Sequence, residues 1–189
     1  MALQLACLSR SFYSFLMFGK ARQLETEEQL YDVAIKTLMR RAHSILEMKK
    51  ALARRCKDEK RVKRTLERLK RENLLDDTRY AKQFIRHRTE YQKQGQYRIA
   101  RDLRARGVPD HHIETALKEL HANSDPAELV RRRIERKLRL FRGEIDKKKI
   151  ASLYRSLLGA GFPSELIRRE LHRMTQEEIP EVETSEEAD

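Results

Sequence analysis

"GVPDHHIETALKEL" (residues 107–120) is followed further along the chain by "GFPSELIRRELHRM" (residues 161–174), and the two agree in type at five registered positions. Gly107, Val108, Ile113, Leu117 and Leu120 stand over Gly161, Phe162, Ile167, Leu171 and Met174. Apolar residues three and four apart share one face of a helix, and the charges between them fall on the other. The glycine that opens each phrase suits the left-handed C′ position ending one helix, and the apolar residue after it supplies the accompanying contact. A fainter copy runs through Cys56, Lys57, Val62, Leu66 and Leu69. The element ahead repeats as well: Met48 and Leu52, then Ile99 and Leu103, then Leu153 and Leu157. A period of roughly fifty residues is the mark of a repeat architecture.

Each repeat reads as three helices. The predicted spans are 27–42, 44–55 and 58–73, then 76–94, 95–106 and 109–121, then 125–141, 146–158 and 163–175. Local chemistry sets several of these boundaries. Ser44 and Glu47 form a capping box, in which each side chain satisfies an orphan backbone N–H. Asp76 suits an N-cap, beside Asp77, with Leu75 and Tyr80 placed for an apolar staple. Asp125 followed by Pro126 places a cap and then a residue whose missing N–H costs nothing there. No stretch alternates apolar and polar residues long enough for a sheet. The expected fold is all-α, with tandem three-helix repeats forming an elongated, curved array. Repeats span 27–75, 76–123 and 124–175, between an N-terminal extension (1–26) and an acidic tail (176–189). The extension is expected to be poorly ordered, and its apolar, acid-free sequence also fits a transit-like segment or a true start at Met17. A unit this small buries few side chains, each stabilising by about 1.5–3 kcal/mol, so stacking of neighbours is the natural remedy.

The composition points the same way. Of 189 residues, 38% are charged and 39% hydrophobic, which leaves a thin core under a wide charged surface. The net charge is +12, yet the last fourteen residues hold seven acids and no Lys or Arg, so residues 1–175 carry +19. Between Arg40 and Arg71 fourteen cations face four acids, and between Arg131 and Lys149 ten face three. Such a field favours a polyanionic partner: nucleic acid, an acidic protein surface or a nucleoprotein. Exposed cations also simply solubilise helix faces. Arg98, Arg101 and Arg104 share one helical face, as do Arg132, Arg136 and Arg139.

Bond-making chemistry is not legible. The six histidines lie outside HExxH or zinc spacing, no Gly-rich loop cradles phosphate, and no serine sits in a G-x-S-x-G setting. Asp76-Asp77 at a helix start is explained by capping. The expectation is no enzyme, no metal and no cofactor. Two cysteines, Cys7 and Cys56, make no disulfide framework, so a reducing, cytoplasmic setting is the default. No apolar run approaches the ~20 residues that span a bilayer.

The run "LLDDTRYAKQF" (74–84) with "GQYRIARDLRARG" (95–107), preceded by "LMRRAHSILEMKKAL" (38–52), resembles the RecX family, bacterial modulators of the RecA recombinase. The likeness is carried by Ser44, Glu47, Leu75, Asp76, Asp77, Tyr80, Gly95, Arg98, Ile99, Leu103 and Gly107, and covers roughly residues 31–174. It is weakest in the third repeat, which keeps mainly the phrase at Gly161. Cys56 stands where the family usually has glycine, so that turn is expected to differ. The resemblance implies tandem three-helix repeats that lie in the groove of the RecA–single-stranded DNA filament and restrain filament growth, ATP hydrolysis, strand exchange and repressor cleavage in recombination and the SOS response; the chain is expected to act as a monomer. Arg98, Arg101, Arg104, Arg131, Arg132 and Arg136 are the candidate partner-binding residues. The competing class is a nucleic-acid-binding helical protein that holds single- or double-stranded DNA directly; a third is an adaptor for an unrelated acidic protein.

Overall fold

A computed structural model describes residues 23–123, 125–141 and 145–175. The extension through residue 22, with Met17, and the tail from 176 onward lie outside the described residues. Among the described residues the secondary structure is helical: α1 Glu27–Arg40, α2 Ile45–Ala53, α3 Glu59–Arg71, α4 Asp77–Glu90, α5 Gln96–Ala105, α6 Asp110–Asn123, α7 Pro126–Leu138, α8 Lys147–Gly159 and α9 Ser164–Thr175. In each triplet the third helix packs against both its predecessors. Three apolar cores result, one per triplet: Leu30, Met48, Leu52 and Leu69 in the first, Ile85, Ile99, Leu103 and Ile113 in the second, and Ile134, Leu153, Leu157, Ile167 and Leu171 in the third. The chain forms two compact units divided after Asp76, so α1–α3 stand as one unit and α4–α9 as the other.

The helix starts follow from short-range capping. Ser44 Oγ accepts from the Glu47 N–H at 3.1 Å while Glu47 returns a bond to the Ser44 N–H at 3.2 Å. Asp58 Oδ1 caps α3 through Lys60 and Arg61, Asp125 caps α7 through Ala127, and Asp146 caps α8 through Lys149. Each satisfies donors that the first turn leaves open. Asp76 directly precedes α4, and Asp77 is buried in its first turn, where the positive end of the helix dipole favours a carboxylate. Leu75 is built into the core of the first triplet and Tyr80 into that of the second.

Several helices end short of the spans read from the sequence, α7 at Leu138 rather than residue 141 among them, and two places differ for a visible reason. Helix α4 stops at Glu90 rather than continuing to Gln94, because Lys93 takes a left-handed conformation (φ 51°) and the Gln94 N–H turns back to the Arg88 carbonyl. The α2–α3 turn also differs from its two counterparts. At Gly107 (φ 74°) and Gly161 (φ 88°) the residue after the glycine, Val108 or Phe162, bonds back to Leu103 or Leu157 and is buried. In the first triplet no left-handed residue intervenes; Cys56 bonds to Leu52 four residues back and is itself buried. Cys56 therefore fills the core place of Val108, not the turn place of Gly107. The turn before Cys56 is one residue shorter than that before Val108 and the stretch after it one longer, so Val62 still falls in register with Ile113.

In the first unit one polar cluster ties α1 to the end of α3. The Tyr31 hydroxyl donates to Glu72, Arg68 bonds Glu72 at 3.0 Å, and the Arg68 guanidinium lies 3.9 Å over the Tyr31 ring. The Tyr31 hydrogen bond, followed by that of Arg68, holds the Glu72 carboxyl below its ordinary value. A depressed carboxyl stabilises the fold above the ordinary glutamate range, and that contribution is lost as pH falls through the folded value. Circular-dichroism melts on the acid side of neutrality are expected to show a steeper fall in stability for the parent than for Glu72→Gln. Parallel slopes would contradict the assignment.

The second and third triplets are joined by a backbone contact. Gly95 precedes α5 and has no side chain to cap it; its N–H donates to the Ala160 carbonyl at 2.8 Å, and the Tyr97 N–H donates to Gly161 at 3.0 Å. The α8–α9 turn is therefore the cap of α5. The approach is so close that a Cβ on Gly95 would lie 2.3 Å from the Gly161 carbonyl carbon, and one on Gly161 would lie 2.4 Å from the Arg98 nitrogen.

Candidate functional site

Helix α5 buries Ile99, Ala100 and Leu103, which turns Arg98, Arg101 and Arg104 to the opposite, exposed face. Arg98 starts that stripe at the junction of the triplets, where its Nη1 donates to the Gly159 carbonyl at 3.2 Å. Arg101 reaches no closer than 4.0 Å to Asp102. Arg104 pairs with Asp110 at 2.6 Å, a contact that joins α5 to the start of α6. At ~1.5 Å of rise per residue, Arg104 stands about 9 Å along the helix axis from Arg98.

Helix α7 buries Ala127, Val130 and Ile134. Its cations separate into two kinds. Arg131, 27% exposed, is held by Asp125 at 2.9 Å and Glu128 at 3.5 Å, and approaches the buried Glu170 of α9 at 3.6 Å. It binds the triplet together. Arg132 and Arg136 point outward; Arg132 carries an exposed pair with Glu128 at 2.6 Å. Arg139 is exposed just past the helix end.

Between the triplets the geometry assembles a group that sequence reasoning did not single out. Arg133 Nη1 donates to the Lys93 carbonyl at 2.7 Å, anchoring α7 to the α4–α5 connection. Burial lowers the tendency of Arg133 to hold its proton, and the nearby charges of Arg136 and Arg98 lower it further. Arg98, Arg133 and Arg136 therefore form one positive cluster drawn from two helices. Beside it lies a cleft of about 170 Å³ lined by Lys93, Leu129, Arg132, Arg133 and Arg136. Four of its five lining residues are cations. The only signal for Arg133 in the sequence is its place in the Arg131–Arg133 run, one residue before the core position Ile134. Lys93 gave none, because its role follows from a turn.

Among the described residues no group of three His, Cys, Asp or Glu could hold a metal ion. His112 Nδ1 lies 2.9 Å from the Thr78 hydroxyl and its ring packs on His111, a contact between α4 and α6. The cavity under the junction, walled by Thr89, Gln94, Ile99, Leu129 and Phe162 among others, measures about 20 Å³, room for roughly one water molecule. Among the described residues no helix is long and apolar enough to cross a membrane. Tyr154 is fully buried, whereas Tyr91 (74%) and Tyr97 (61%) are exposed on either side of the α4–α5 connection.

Residues 76–117, which comprise α4, α5 and half of α6, match the RecX second three-helix domain. The regulatory protein RecX of Prosthecochloris aestuarii is 34% identical over 134 residues, covering 71% of this chain and 85% of the relative. The chain belongs to the RecX family. A RecX from Halorhodospira halophila is 44% identical over 92 residues, 49% of this chain and 56% of that one. The crystal structure of RecX from Lactobacillus salivarius superposes with a TM-score of 0.69 over 80% of this chain and 97% of that chain; at 20% identity it speaks for the shared helical fold.

Proposed function

We propose that this protein is a negative modulator of the RecA recombinase, binding as a monomer along the RecA–DNA filament in the cytoplasm and restraining filament growth, ATP hydrolysis and strand exchange. The observation that carries the reading is the positive surface formed by α5 and α7 across the interlocked second and third triplets, in a chain of the RecX family. Arg98, Arg101, Arg104, Arg132 and Arg136 meet acidic protomer surfaces or phosphate, while Arg131 holds α7 in place beneath them. Many modest contacts spread over successive protomers add through effective concentration, and charge complementarity speeds the encounter. The test is the ATPase rate of RecA on single-stranded DNA with purified protein added. It is expected to fall, with filament length falling in parallel; an unchanged rate and length would remove the proposal.

A second reading is a direct nucleic-acid binder, favoured by the exposed tyrosines beside the cation cluster. Non-specific binding of that kind weakens by about 0.7–0.9 log units per log unit of salt for each phosphate neutralised. Binding to bare and to RecA-coated single strands at physiological salt separates the two readings. Preference for the coated strand supports the modulator, and equal affinity supports the binder.

The acidic tail modulates either interaction. Helices α7 and α9 run in the same direction, since Pro126 and Pro163 wall the same cavity near their starts and Arg131 meets Glu170 further along. The chain thus leaves α9 at Thr175 beside the end of α7 that bears Arg136. Removing residues 176–189 raises the net charge from +12 to +19. The truncated protein is expected to bind the filament several-fold more tightly at low salt, with the difference closing as salt screens the field. Unchanged affinity at low salt would show that the tail has no such part.

A further inference from the structure

The cleft at the junction of the second and third triplets has a composition that the filament reading does not require. Its walls bring Lys93, Arg132, Arg133 and Arg136 around the apolar side of Leu129 in about 170 Å³. Arg98 adds its charge from α5, as the lowered proton affinity of Arg133 shows. The cluster has few counter-charges: Arg132 pairs with Glu128, but no acidic partner of the Lys93 ammonium or the Arg136 guanidinium occurs among the described residues. Arg133 Nε is buried there without a hydrogen-bond acceptor. Like charges held this close repel, and an anion seated among them removes that cost and fills the open donors. Planar guanidinium forks suit a phosphate oxygen pair.

The α4–α5 connection supplies the second feature. Tyr91 stands two residues before Lys93, and Tyr97 stands next to Arg98, both rings largely exposed. Tyr91 leans on His87 at a centroid separation of 5.2 Å, which steadies its ring. Exposed aromatic faces beside cations match a strand that presents a phosphate and a flat base in every nucleotide.

We infer that the Lys93–Arg132–Arg133–Arg136 cleft is a phosphodiester site for single-stranded nucleic acid, with Tyr97 and Tyr91 as the platforms on which neighbouring bases stack. The inference rests on the filament reading only for where the strand is met; binding of phosphate by the cleft stands apart from any effect on RecA. Arg133 is the fixed floor of the site, tied to the Lys93 carbonyl. Lys93 and Arg136 are the exposed donors that close on the anion. The strand then crosses the junction, so that the close Gly95–Gly161 contact sets the spacing between the donors of α7 and the rings of the α4–α5 connection.

The experiment uses the full chain and three fluorescent probes: an oligothymidylate, an abasic deoxyribose-phosphate strand of equal length, and an oligoglutamate of equal charge. The cleft variant is Lys93→Glu with Arg136→Glu. Its control, Lys60→Glu with Lys118→Glu, makes the same change in net charge at exposed sites on α3 and α6. All four side chains are exposed, and melting curves verify that both variants fold. The cleft variant is expected to bind both strands at least about tenfold more weakly than the control, with a salt slope lower by about 1.4, at ~0.7 per phosphate for single strands. Tyr97→Ala is expected to weaken the oligothymidylate by about tenfold and to leave the abasic strand unchanged. Equal losses in the cleft and control variants would overturn the inference, as would an oligoglutamate that binds with the same dependence on the cleft. A cleft variant that keeps strand affinity but no longer restrains RecA overturns it too, while leaving the proposed function standing.

Discussion

Gly95→Ala is expected to destabilise the α4–α9 unit by about 3 kcal/mol or more, the upper end of what overpacking costs when the opposing atoms are backbone. The added Cβ would lie 2.3 Å from both the carbonyl carbon and the oxygen of Gly161, atoms that no rotamer change can move aside. Relief requires the third triplet to retreat, which breaks the bonds from Gly95 and Tyr97 to Ala160 and Gly161 and uncaps α5. The other glycines provide internal comparisons. Gly161→Ala combines a left-handed backbone (φ 88°) with a Cβ 2.5 Å from that of Arg98, so its cost should equal or exceed that of Gly95→Ala. Gly107→Ala has the strained backbone (φ 74°) as its cause and should cost about 1–2 kcal/mol. Gly159→Ala, in the last turn of α8 with nothing within 4 Å of the new methyl, should stabilise by about 0.4–1 kcal/mol. Urea unfolding followed by circular dichroism, with hydrogen exchange read at the Gly95 and Tyr97 amides, measures the series. A Gly95→Ala protein within about 0.5 kcal/mol of the parent would mean that the two triplets are not locked in this way.

Arg101→Glu, Arg104→Glu and Arg132→Glu together are expected to weaken binding to the RecA–DNA filament by at least about tenfold, with a shallower salt dependence and an unfolding midpoint close to that of the parent. All three are exposed, and the acids they meet, Asp102, Asp110 and Glu128, are partly exposed too, so the folded state gives up little. Arg131 behaves oppositely. Its partner Glu170 is 3% exposed, so among the described residues Arg131→Ala leaves that buried carboxylate with Arg169 at 3.4 Å as its one remaining cation. That loss should appear as stability, somewhat below the ~3–5 kcal/mol of a fully buried broken pair. The contrast gives the assignment its force: charge reversal on the outer face changes affinity without stability, and truncation at Arg131 changes stability first. A triple variant that restrains filament ATP hydrolysis as well as the parent would remove α5 and α7 from the interface.

What the chain reveals before folding is what is decided over a few residues. Ser44 with Glu47, Asp58, Asp125 with Pro126 and Asp146 act on backbone groups two or three positions away, so the helix starts could be read to within a residue. Gly107 and Gly161 end helices for a reason local to their own φ. Contacts made across the chain were not legible. Nothing near Gly95 indicates that its missing Cβ serves a carbonyl on the α8–α9 turn, and Lys93 adopts a left-handed conformation that only the docked α4–α5 connection explains. Cys56 was set against Gly107 by the repeat spacing, yet it fills the core place of Val108, because a one-residue shift inside a turn leaves the flanking apolar register intact. The candidate site was half legible for the same reason. Helical phase gave the faces of Arg98, Arg101, Arg104, Arg132 and Arg136. That Arg131 turns inward to Glu170, and that Arg133 and Lys93 complete a cleft, are consequences of how triplets pack.

The proposed function is that of a regulator whose cationic helices act on an assembled polymer rather than on a bond. Its most direct test is RecA-catalysed ATP hydrolysis on single-stranded DNA, followed while purified protein is added at fixed salt, with filament length recorded in the same reaction. The account predicts that hydrolysis and length fall together, and that the Arg101/Arg104/Arg132 charge reversal abolishes both effects in a protein that still folds. Hydrolysis and length that hold steady while the protein binds bare and coated strands equally would contradict it.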